Sequence, residues 1–462
     1  MVFSSITFIY YFLPLVLVGY FLTPHKFKNY TLLLASLVFY FVGEPVYILL
    51  LFSSVIVNYF AGLAIEKHHG RIRAKQILAA AIAYDILMLA IFKTFNFFAE
   101  NLTAALSLDI RWTKIALPIG ISFYTFQIMS YVIDVYRGEA KAQRNLASLA
   151  LYVSLFPQLI AGPIVRYKTI EEELKNRKHT VDDFAYGVKR FVTGLLKKVI
   201  IANPLGTLWA LAKYAEQPSV LFYWLGAVGF MLQIYFDFSA YSDMGIGLGR
   251  MFGFHFLENF NYPYISKSIT EFWQRWHMSL GQWFRDYLYI PLGGNRTTKW
   301  KWFRNIGIVW LATGIWHGAA WNFIVWGVLF GMILILEKLF LLKMLQKAPG
   351  LIGHLYTLTI VLFSFVLFNS SSFSEAANVT KGMLGLLEIP MVSDESIYHL
   401  MSNKILLIIA IVFSTPIVNL SPRHTLFNKL AHFEPIAIVL ILVAVTGFLI
   451  DSSFNPFLYF RF

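Results

Sequence analysis

Long uninterrupted runs of apolar residues limit how this chain can fold more than any other feature. Such runs cover residues 6–22, 47–65, 77–92, 323–339, 405–417 and 436–450. The hydrocarbon core of a bilayer is about 30 Å thick, and a helix needs about 20 mostly apolar residues to cross it. Hydrophobic residues make up 58% of the chain and charged residues only 14%, which is more apolar surface than a soluble core buries. The sequence therefore predicts an integral membrane protein.

The spanning segments are expected to be helices. A backbone in lipid must satisfy its hydrogen bonds internally, so only helices and closed barrels cross membranes, and these runs lack the alternation of barrel strands. We predict an all-α polytopic membrane protein with roughly 11 transmembrane helices plus re-entrant and interfacial helices. No internal repeat or flexible linker divides the sequence, so residues 1–462 are expected to form a single integral-membrane domain.

Clusters of basic residues orient the chain in the membrane. The net charge is +13, and basic segments at residues 25–28 and 67–75 flank two apolar segments joined by a turn at Glu44. The positive-inside rule places both basic segments in the cytoplasm, and the Glu44 turn and the N-terminus outside. Because the basic residues cluster beside apolar segments, the charge does not require a nucleic-acid partner.

The absence of cysteine and the pattern of the first apolar run each support one further prediction. The chain contains no cysteine, which excludes a disulfide framework and a thiol nucleophile. Residues 6–22 lack the basic flank and the small-residue cleavage site of a secretory signal peptide, so we expect this segment to remain in the protein.

Residues 146–164 are expected to enter the membrane and return to the same side. This apolar stretch contains Pro157 and Pro163 and ends beside the basic residues Arg166 and Lys168. Proline interrupts helices, and a full crossing would place those charges outside. Irregular backbone at membrane depth is tolerated only inside protein or beside a watery cavity. An ordinary kinked span is the alternative.

Residues 182–202 have the pattern of an amphipathic helix at the cytoplasmic interface. Acidic residues lie in the first turn and basic residues in the last, as the helix dipole favours. The apolar stripe consists of Phe184, Val188, Phe191 and Leu195, and Lys189, Arg190 and Lys197 lie off it. The bases of such a helix bind lipid headgroups or attract an anionic cofactor.

Residues 272–290 combine tryptophans with charges in a way that predicts one helix with two faces. Its aromatic and aliphatic seam would be Trp273, Trp276, Leu280, Trp283, Tyr287 and Ile290. Its polar stripe would be Arg275, Ser279, Gln282 and Asp286, with His277 beside the boundary. Ionisable groups at membrane depth usually face the bundle interior and mark function, although Asp237, Asp243, Arg275, Arg285 and Asp286 could equally be structural ion pairs.

His317 is the strongest single candidate for a catalytic residue. It lies between Trp316 and Gly318, and the nearest charged residues in the sequence are Arg304 and Glu337. A neutral imidazole can be buried at tolerable cost and can accept a proton near neutral pH. A catalytic or proton-relay role therefore stands beside the alternative of a satisfied core histidine. No Cys or Glu-x-x-His pattern accompanies the histidines, so no metal site is expected.

At the level of whole motifs, the chain resembles the membrane-bound O-acyltransferase family. The residues that carry the likeness are RWHMSLGQWFRDYLYIPLGGNR at 275–296, GIWHGAAWNFIVWG at 314–327, LPIGISFYTFQIMSYVIDVYRG at 117–138, FPQLIAGPIVRY at 156–167, YFDFSAYSDMGIGLGRMFGF at 235–254 and NPFLYFRF at 455–462. They are most similar to the branch that contains the alginate O-acetylation membrane protein and relatives that acetylate other cell-surface polysaccharides.

The resemblance implies both a fold and a reaction. The fold would place many helices around a thin central region, with funnels from both sides meeting near His317. The reaction would move an acetyl group from a cytoplasmic thioester, with acetyl-CoA or an acyl carrier as co-substrate and no tightly bound cofactor. The acceptor would be a hydroxyl of an extracellular polysaccharide or of a secreted or membrane-anchored SGNH-type acetyltransferase partner. The membrane would be the cytoplasmic membrane of a bacterium.

Pattern and resemblance together define the candidate site. The catalytic candidates are His317 as general base and His277 in a supporting place, with Arg275, Arg285 or Trp N–H groups as donors to the oxyanion. The supporting or substrate-funnel residues are Arg275, Arg285, Asp286, Trp276, Trp316, Asp237, Asp243 and Asn322.

Two alternatives stay open at this point. The first is D-alanyl transfer to teichoic acid from a carrier-protein thioester, which the related branch of the family implies. The second is a transporter or flippase, because buried charges and broken helices also describe transport pathways. The absence of an internal duplication counts against transport.

Overall fold

The protein is all-helical wherever its structure is described. The computed structural model describes residues 1–107, 112–160, 162–417, 433–451 and 457–458, and these contain helices and no strand. The all-α prediction is therefore confirmed. Of the sequence motif at 455–462, only Phe457 and Leu458 belong to the described residues.

The chain divides into two compact units. The first unit is Met1–Phe191, Ser242–Leu257 and Gln282–Leu288, and the second is Val192–Tyr241, Glu258–Gly281 and Tyr289–Phe462. Each unit draws on three separate segments, so the division has no single boundary in the sequence. The expectation of one domain stays a prediction.

In its described residues, the first unit contains nine whole helices, the start of a tenth, and the ends of the helices Val220–Met251 and Met278–Phe284. The helices are α1 (Leu13–Leu22), α2 (Lys28–Gly43), α3 (Ile48–Lys67), α4 (Ile72–Leu89), α5 (Phe95–Ala105), α6 (Ile121–Arg137), α7 (Leu146–Ser154), α8 (Phe156–Leu159), α9 (Tyr167–Lys175) and α10 (Val181–Leu196). A π-helical turn at Phe8–Phe12 precedes α1, and another at Ala90–Thr94 joins α4 to α5.

The remaining helices belong wholly or partly to the second unit. They are α11 (Asn203–Lys213), α12 (Val220–Met251), α13 (Ile269–Arg275), α14 (Met278–Phe284), α15 (Lys299–His317), α16 (Trp321–Leu336), α17 (Leu342–Lys347), α18 (Gly350–Asn369), α19 (Phe373–Met383), α20 (Asp394–Phe413) and α21 (Glu434–Asp451). A π-helical turn at Lys197–Ala202 joins α10 to α11, and one at Glu337–Leu341 joins α16 to α17.

Eight helical segments in the described part of the chain are long and apolar enough to cross a membrane. They are Ile48–Lys67, Ile72–Ala105, Val181–Lys213, Val220–Met251, Trp321–Lys347, Gly350–Asn369, Asp394–Phe413 and Glu434–Asp451, and Phe8–Leu22 is a shorter apolar helix. Leu15, Leu49, Ile405 and Val443 are each about two-thirds exposed, as expected of side chains that face lipid. The exact number of crossings stays a prediction.

The helix predicted at 182–202 is longer in the structure than in the prediction. It starts at Val181 and runs without a break to Lys213, because the π-helical turn continues the helix past Ala202. Phe191 and Leu195 of the predicted apolar stripe are buried, whereas Lys189 is exposed. At 33 residues the helix is long enough to cross the membrane, so the interfacial placement predicted from its first turns stays untested.

The interruption predicted within residues 146–164 is confirmed. Helix α7 ends at Ser154, Leu155 has ψ 109°, and the four-residue helix α8 follows. Side chains of the same unit satisfy this irregular backbone, as burial at membrane depth requires. Tyr152 Oη donates to the carbonyl of Val165 at 2.9 Å, and Gln158 Nε2 donates to the carbonyl of Tyr152 at 2.7 Å. Whether the chain returns to the same side stays a prediction.

Glycines set the close approach of α15 and α16. A Cβ at Gly314 would lie 2.5 Å from the carbonyl oxygen of Phe323, and one at Gly327 would lie still closer to the carbonyl oxygen of Trp310. These distances exclude any larger residue without a backbone shift. The Gly-x-x-x-Gly spacing of Gly314 and Gly318 is typical of such close helix packing, which fixes the helix that ends at His317.

A methyl group at Gly327 is expected to force α15 and α16 apart. Gly327→Ala should destabilise the purified protein by about 1–3 kcal/mol, because overpacking at a backbone contact cannot relax through side-chain motion. The matched control is Gly307→Ala on α15, where nothing lies within 4 Å of the new Cβ. Thermal unfolding in detergent measures both variants. Equal unfolding temperatures for Gly327→Ala and the unaltered protein would contradict this account of the packing.

Candidate active site

His317 is the last residue of α15 and is buried in a cage of rings within the second unit. The following residue, Gly318, is extended, and the chain turns there into α16. The centroid of the imidazole ring lies 5.1 Å from that of Trp316, 5.1 Å from that of Trp326 and 5.4 Å from that of Phe368. His317 therefore ends a helix instead of lying inside a continuous apolar segment.

A small cavity adjoins His317. Its lining residues all belong to the second unit: Ile234, Asp237, Phe238, Trp276, His317, Trp326, Phe365, Phe368, Phe457 and Leu458. Eight of these are apolar, and His317 and Asp237 are the two ionisable groups. An apolar cavity with a few convergent polar groups is the usual form of a small-molecule site.

Asp237 is held by a buried partner that sequence reasoning missed. Its carboxylate forms an ion pair with Lys198, and both side chains are almost completely buried. The other carboxylate oxygen accepts a hydrogen bond of 2.8 Å from the backbone N–H of Leu458, another residue of the cavity wall. Asp237 therefore belongs to a buried ion pair, but with Lys198 instead of with another of the candidate charges. The predicted helix places Lys198 in a basic last turn, whereas in the structure it is a buried residue of the π-helical turn at Lys197–Ala202.

The predicted helix over residues 272–290 is wrong, because the chain breaks at Trp276 and His277. Trp276 is extended, with φ −99° and ψ 129°, and His277 has a left-handed φ of 44°. The single seam of apolar side chains and the single polar stripe therefore do not form. Residues up to Gly281 belong to the second unit, and Gln282–Leu288 belongs to the first.

Asn259 holds the turn that contains His277. Its side-chain oxygen accepts from the backbone N–H of Ser279 at 3.1 Å and from Ser279 Oγ at 2.8 Å. The same oxygen lies 3.1 Å from His277 Nδ1, and since a carbonyl oxygen can only accept, Nδ1 carries the proton. Asn259 lies 18 residues before His277, at a spacing that no local motif identifies.

His277 is a buried side chain that packs among aromatic rings. Its ring centroid lies 4.6 Å from that of Phe238 and 5.9 Å from that of Trp316. The side chain of His277 is only 1% exposed. Trp316 lies beside both His277 and His317, so the two predicted histidines share one neighbouring indole.

Glu337 fixes the helix that leads to this turn. It is fully buried, and its carboxylate accepts from the backbone N–H groups of Ile269 at 2.6 Å and Thr270 at 2.7 Å. These N–H groups begin α13 and have no partner within the helix. In the sequence, Glu337 is only a charge distant from His317. A carboxylate at the end of an apolar run is the signal that could have indicated its role.

The other candidates in the second unit have structural contacts. Asn322 Nδ2 donates to the carbonyl of Phe368 at 3.3 Å and to that of Ser370 at 3.0 Å, which ties the start of α16 to the end of α18. Arg275 pairs with Glu271 at 2.9 Å and donates to the carbonyl of Asn261 at 3.1 Å. Trp276 lines the cavity beside His317.

The remaining three candidates lie in the first unit, where each forms ion pairs. Asp286 accepts from Arg166 and from Arg285, both at 2.7 Å. Asp243 pairs with Arg190, also at 2.7 Å. The contacts of these charges are therefore structural ion pairs. The oxyanion role considered for Arg285 stays a prediction.

These features define an integral membrane protein with a buried histidine in an apolar, ring-lined cavity. Residues 137–370 match the membrane-bound O-acyltransferase family. The chain belongs to that family and is an O-acyltransferase of the multi-pass membrane type, which decides against the transporter alternative. The matched segment contains both histidines and every supporting candidate.

Relatives similar over the whole chain are O-acetyltransferases. The chain is 38% identical to the probable alginate O-acetylase AlgI of Azotobacter vinelandii over 501 aligned residues, which cover 100% of both chains. It is 31% identical to the peptidoglycan O-acetyltransferase of Helicobacter pylori over 100% of this chain and 98% of the relative. The teichoic acid D-alanyltransferase of Bacillus subtilis is 33% identical, but over only 55% of this chain and 68% of its own length.

Removing one partner of the Lys198–Asp237 pair is expected to destabilise the protein. Asp237→Asn leaves a buried ammonium without its counter-ion, which costs about 3–5 kcal/mol. The double variant Lys198→Met with Asp237→Leu should recover most of this loss, because it removes both charges. Thermal unfolding in detergent measures the cycle. Lys175→Ala, which breaks an exposed pair with Glu171, is the control and should cost less than about 1 kcal/mol. A double variant as unstable as Asp237→Asn would show that charge compensation is not the cause.

Proposed function

We propose that this protein moves an acetyl group from a cytoplasmic thioester donor to a hydroxyl group on the outer side of the membrane. The observation that carries the proposal is the position of His317, a buried base that ends α15 and lines an apolar cavity. Acetyl-CoA is the expected donor, and a thioester on an acyl carrier would donate the acetyl group by the same chemistry. The acceptor is a polysaccharide hydroxyl or a serine of a partner acetyltransferase.

His317 acts as the general base in this proposal. It removes the proton of the acceptor hydroxyl while the oxygen attacks the thioester carbonyl, and a C–O bond forms as the C–S bond breaks. The proton held by His317 then passes to the departing thiolate, which leaves as the thiol. Hydroxyls are weak nucleophiles at neutral pH, and a positioned base contributes about 10²–10⁴ in rate.

The apolar wall of the cavity protects the donor in this scheme. Trp276, Phe365 and Phe368 offer the reacting thioester no hydroxyl or carboxylate, and they limit access of water that would hydrolyse it. The buried Lys198–Asp237 pair keeps the one carboxylate in the wall compensated. The acceptor hydroxyl is then the nucleophile that loses its proton to His317 and attacks the thioester.

Trp326 is the donor that we assign to the developing oxyanion. Its indole N–H is buried and, within the described part of the chain, has no hydrogen-bond partner, although burial of an unsatisfied donor is costly. Trp326 lines the cavity and contacts the ring of His317. A hydrogen bond that forms only when the carbonyl oxygen becomes charged would stabilise the transition state more than the substrate.

The relatives favour acetyl over D-alanyl transfer. The two acetyltransferases align over 100% of this chain, whereas the D-alanyltransferase aligns over 55%. Their names refer to alginate, peptidoglycan and teichoic acid, which are polymers of the bacterial cell surface. We therefore propose the bacterial cytoplasmic membrane as the location, and an SGNH-type acetyltransferase as a partner that completes transfer to the polymer.

Replacing His317 is expected to abolish acetyl transfer while leaving the fold intact. His317→Gln retains size and hydrogen bonding but cannot accept a proton near neutral pH, so it should be nearly as inactive as His317→Ala, with a loss of at least about 10²-fold. His277→Ala should lose less activity, because His277 has a supporting place. The measurements are acetyl ester on the surface polymer and unfolding temperature of each purified variant. Near-normal acetylation by His317→Gln would exclude the general-base role, and transfer from a D-alanyl carrier instead of acetyl-CoA would reassign the donor.

Replacing the indole of Trp326 is expected to slow the transfer without preventing thioester binding. Trp326→Phe keeps a ring in the cage but removes the N–H, and the loss of one oxyanion donor typically costs about 10²–10³ in kcat. Trp310→Phe is the control, because Trp310 belongs to the neighbouring ring cluster but is not among the cavity residues. Steady-state kinetics with acetyl-CoA measures both. A change in KM alone for Trp326→Phe would assign Trp326 to binding instead of catalysis.

A further inference from the structure

A second cavity lies in the first unit and has no part in the proposed reaction. It is lined by Phe21, His179, Thr180, Val181, Phe184, Arg250 and Met251. All of these residues belong to the first unit. Its wall is mostly apolar and includes Arg250, which pairs with Asp183, and His179.

Basic side chains converge on Tyr20 beside this cavity. Lys28 Nζ lies 4.8 Å from the centroid of the Tyr20 ring and 5.3 Å from that of Phe21. Arg177 Nε donates to Tyr20 Oη at 3.2 Å, and His179 Nε2 lies 2.7 Å from the same oxygen. A lysine, an arginine and a histidine therefore surround one neutral phenol.

The positive charge of this cluster is not balanced by neighbouring carboxylates. Arg250 pairs with Asp183, but in the described residues neither Lys28 nor Arg177 forms an ion pair with a carboxylate, although Arg177 is only 8% exposed. Burial, followed by the nearby charges of Lys28 and Arg177, lowers the pKa of His179 to about 4. A buried guanidinium without a counter-ion is costly, so an anion that binds here would be favoured electrostatically.

The surroundings of the cavity indicate a lipid rather than a water-soluble anion. Helix α1 is apolar and ends at Leu22, which is 80% exposed, and Val181 at the cavity wall is 84% exposed. Exposed aliphatic side chains directly beside unbalanced basic groups match the boundary between acyl chains and headgroups. Residues 25–28 are predicted to lie on the cytoplasmic side, where anionic headgroups attract lysine and arginine.

We propose that an anionic phospholipid binds here, with its acyl chain in this cavity and its phosphate on the adjoining cluster of Lys28 and Arg177. Lys28 and Arg177 supply the positive charge, and Phe21, Phe184 and Met251 contact the first part of an acyl chain. Because Tyr20 belongs to α1 and Arg177 to the segment before α10, the bound lipid would hold these two segments together at the membrane surface.

The test compares lipid retention by the full-length protein in neutral detergent. Phosphatidylglycerol and phosphatidylcholine are added in turn, and bound lipid is counted by native mass spectrometry. Phosphatidylglycerol should be retained in preference to phosphatidylcholine, and Lys28→Met should weaken its binding about fivefold, as expected for one basic residue at an anionic surface. Lys28→Arg should retain binding, which separates loss of charge from loss of fold. Equal retention of the two lipids would overturn the proposal.

Two further arms distinguish a specific lipid site from other sources of affinity. Lys178→Met removes an exposed charge next to Arg177 and should leave phosphatidylglycerol binding unchanged. An equal loss in Lys178→Met and Lys28→Met would indicate diffuse attraction and overturn the site. Coenzyme A is the soluble source of phosphate. Failure of coenzyme A to displace phosphatidylglycerol supports the lipid assignment, whereas displacement that depends on Lys28 would overturn it.

Discussion

The structure depends on hydrogen-bond partners for the backbone groups that are left open where its helices break. Helices break at Leu155, at Trp276–His277 and after His317, and lipid offers no hydrogen bonds to the backbone exposed there. Other side chains of the same unit supply them. Gln158 and Tyr152 serve the first break, and Asn259 serves the second. These breaks are tolerable because the partners are built into the fold, and the last two give the histidines their positions.

The chemistry of the site follows from the same constraint. A histidine is the ionisable side chain that can be buried uncharged near neutral pH and still accept a proton. The cavity surrounds His317 with rings and compensates its one carboxylate with Lys198. Membership of the O-acyltransferase family gives this arrangement its reaction class. The two histidines share Trp316 but differ in setting, since His277 is fixed by Asn259 and His317 adjoins the cavity.

Features with a local signal could be predicted from the sequence. Apolar runs identified the membrane helices, Pro157 marked a real interruption, and Gly314 marked a real close contact. The break at His277 could not be predicted, because the 3,4 spacing of apolar residues continues through it and the residue that stabilises it lies in a distant loop. Lys198 was missed for a similar reason. A lysine in a basic helix end is normally solvated, and only its partner on α12 shows that it is buried.

The end of α15 has an electrostatic consequence for the residue that occupies it. The carbonyl groups of a final helical turn have no N–H partners further along the helix, and their dipoles give that end a partial negative charge. His317 is the last residue of α15, so an imidazolium formed there would lie beside this charge. A cation in the middle of an apolar helix would receive no such stabilisation. Because the chain turns at Gly318, α15 ends at His317 and its last carbonyl groups lie at that residue. Their partial negative charge is fixed in place and requires no acidic residue.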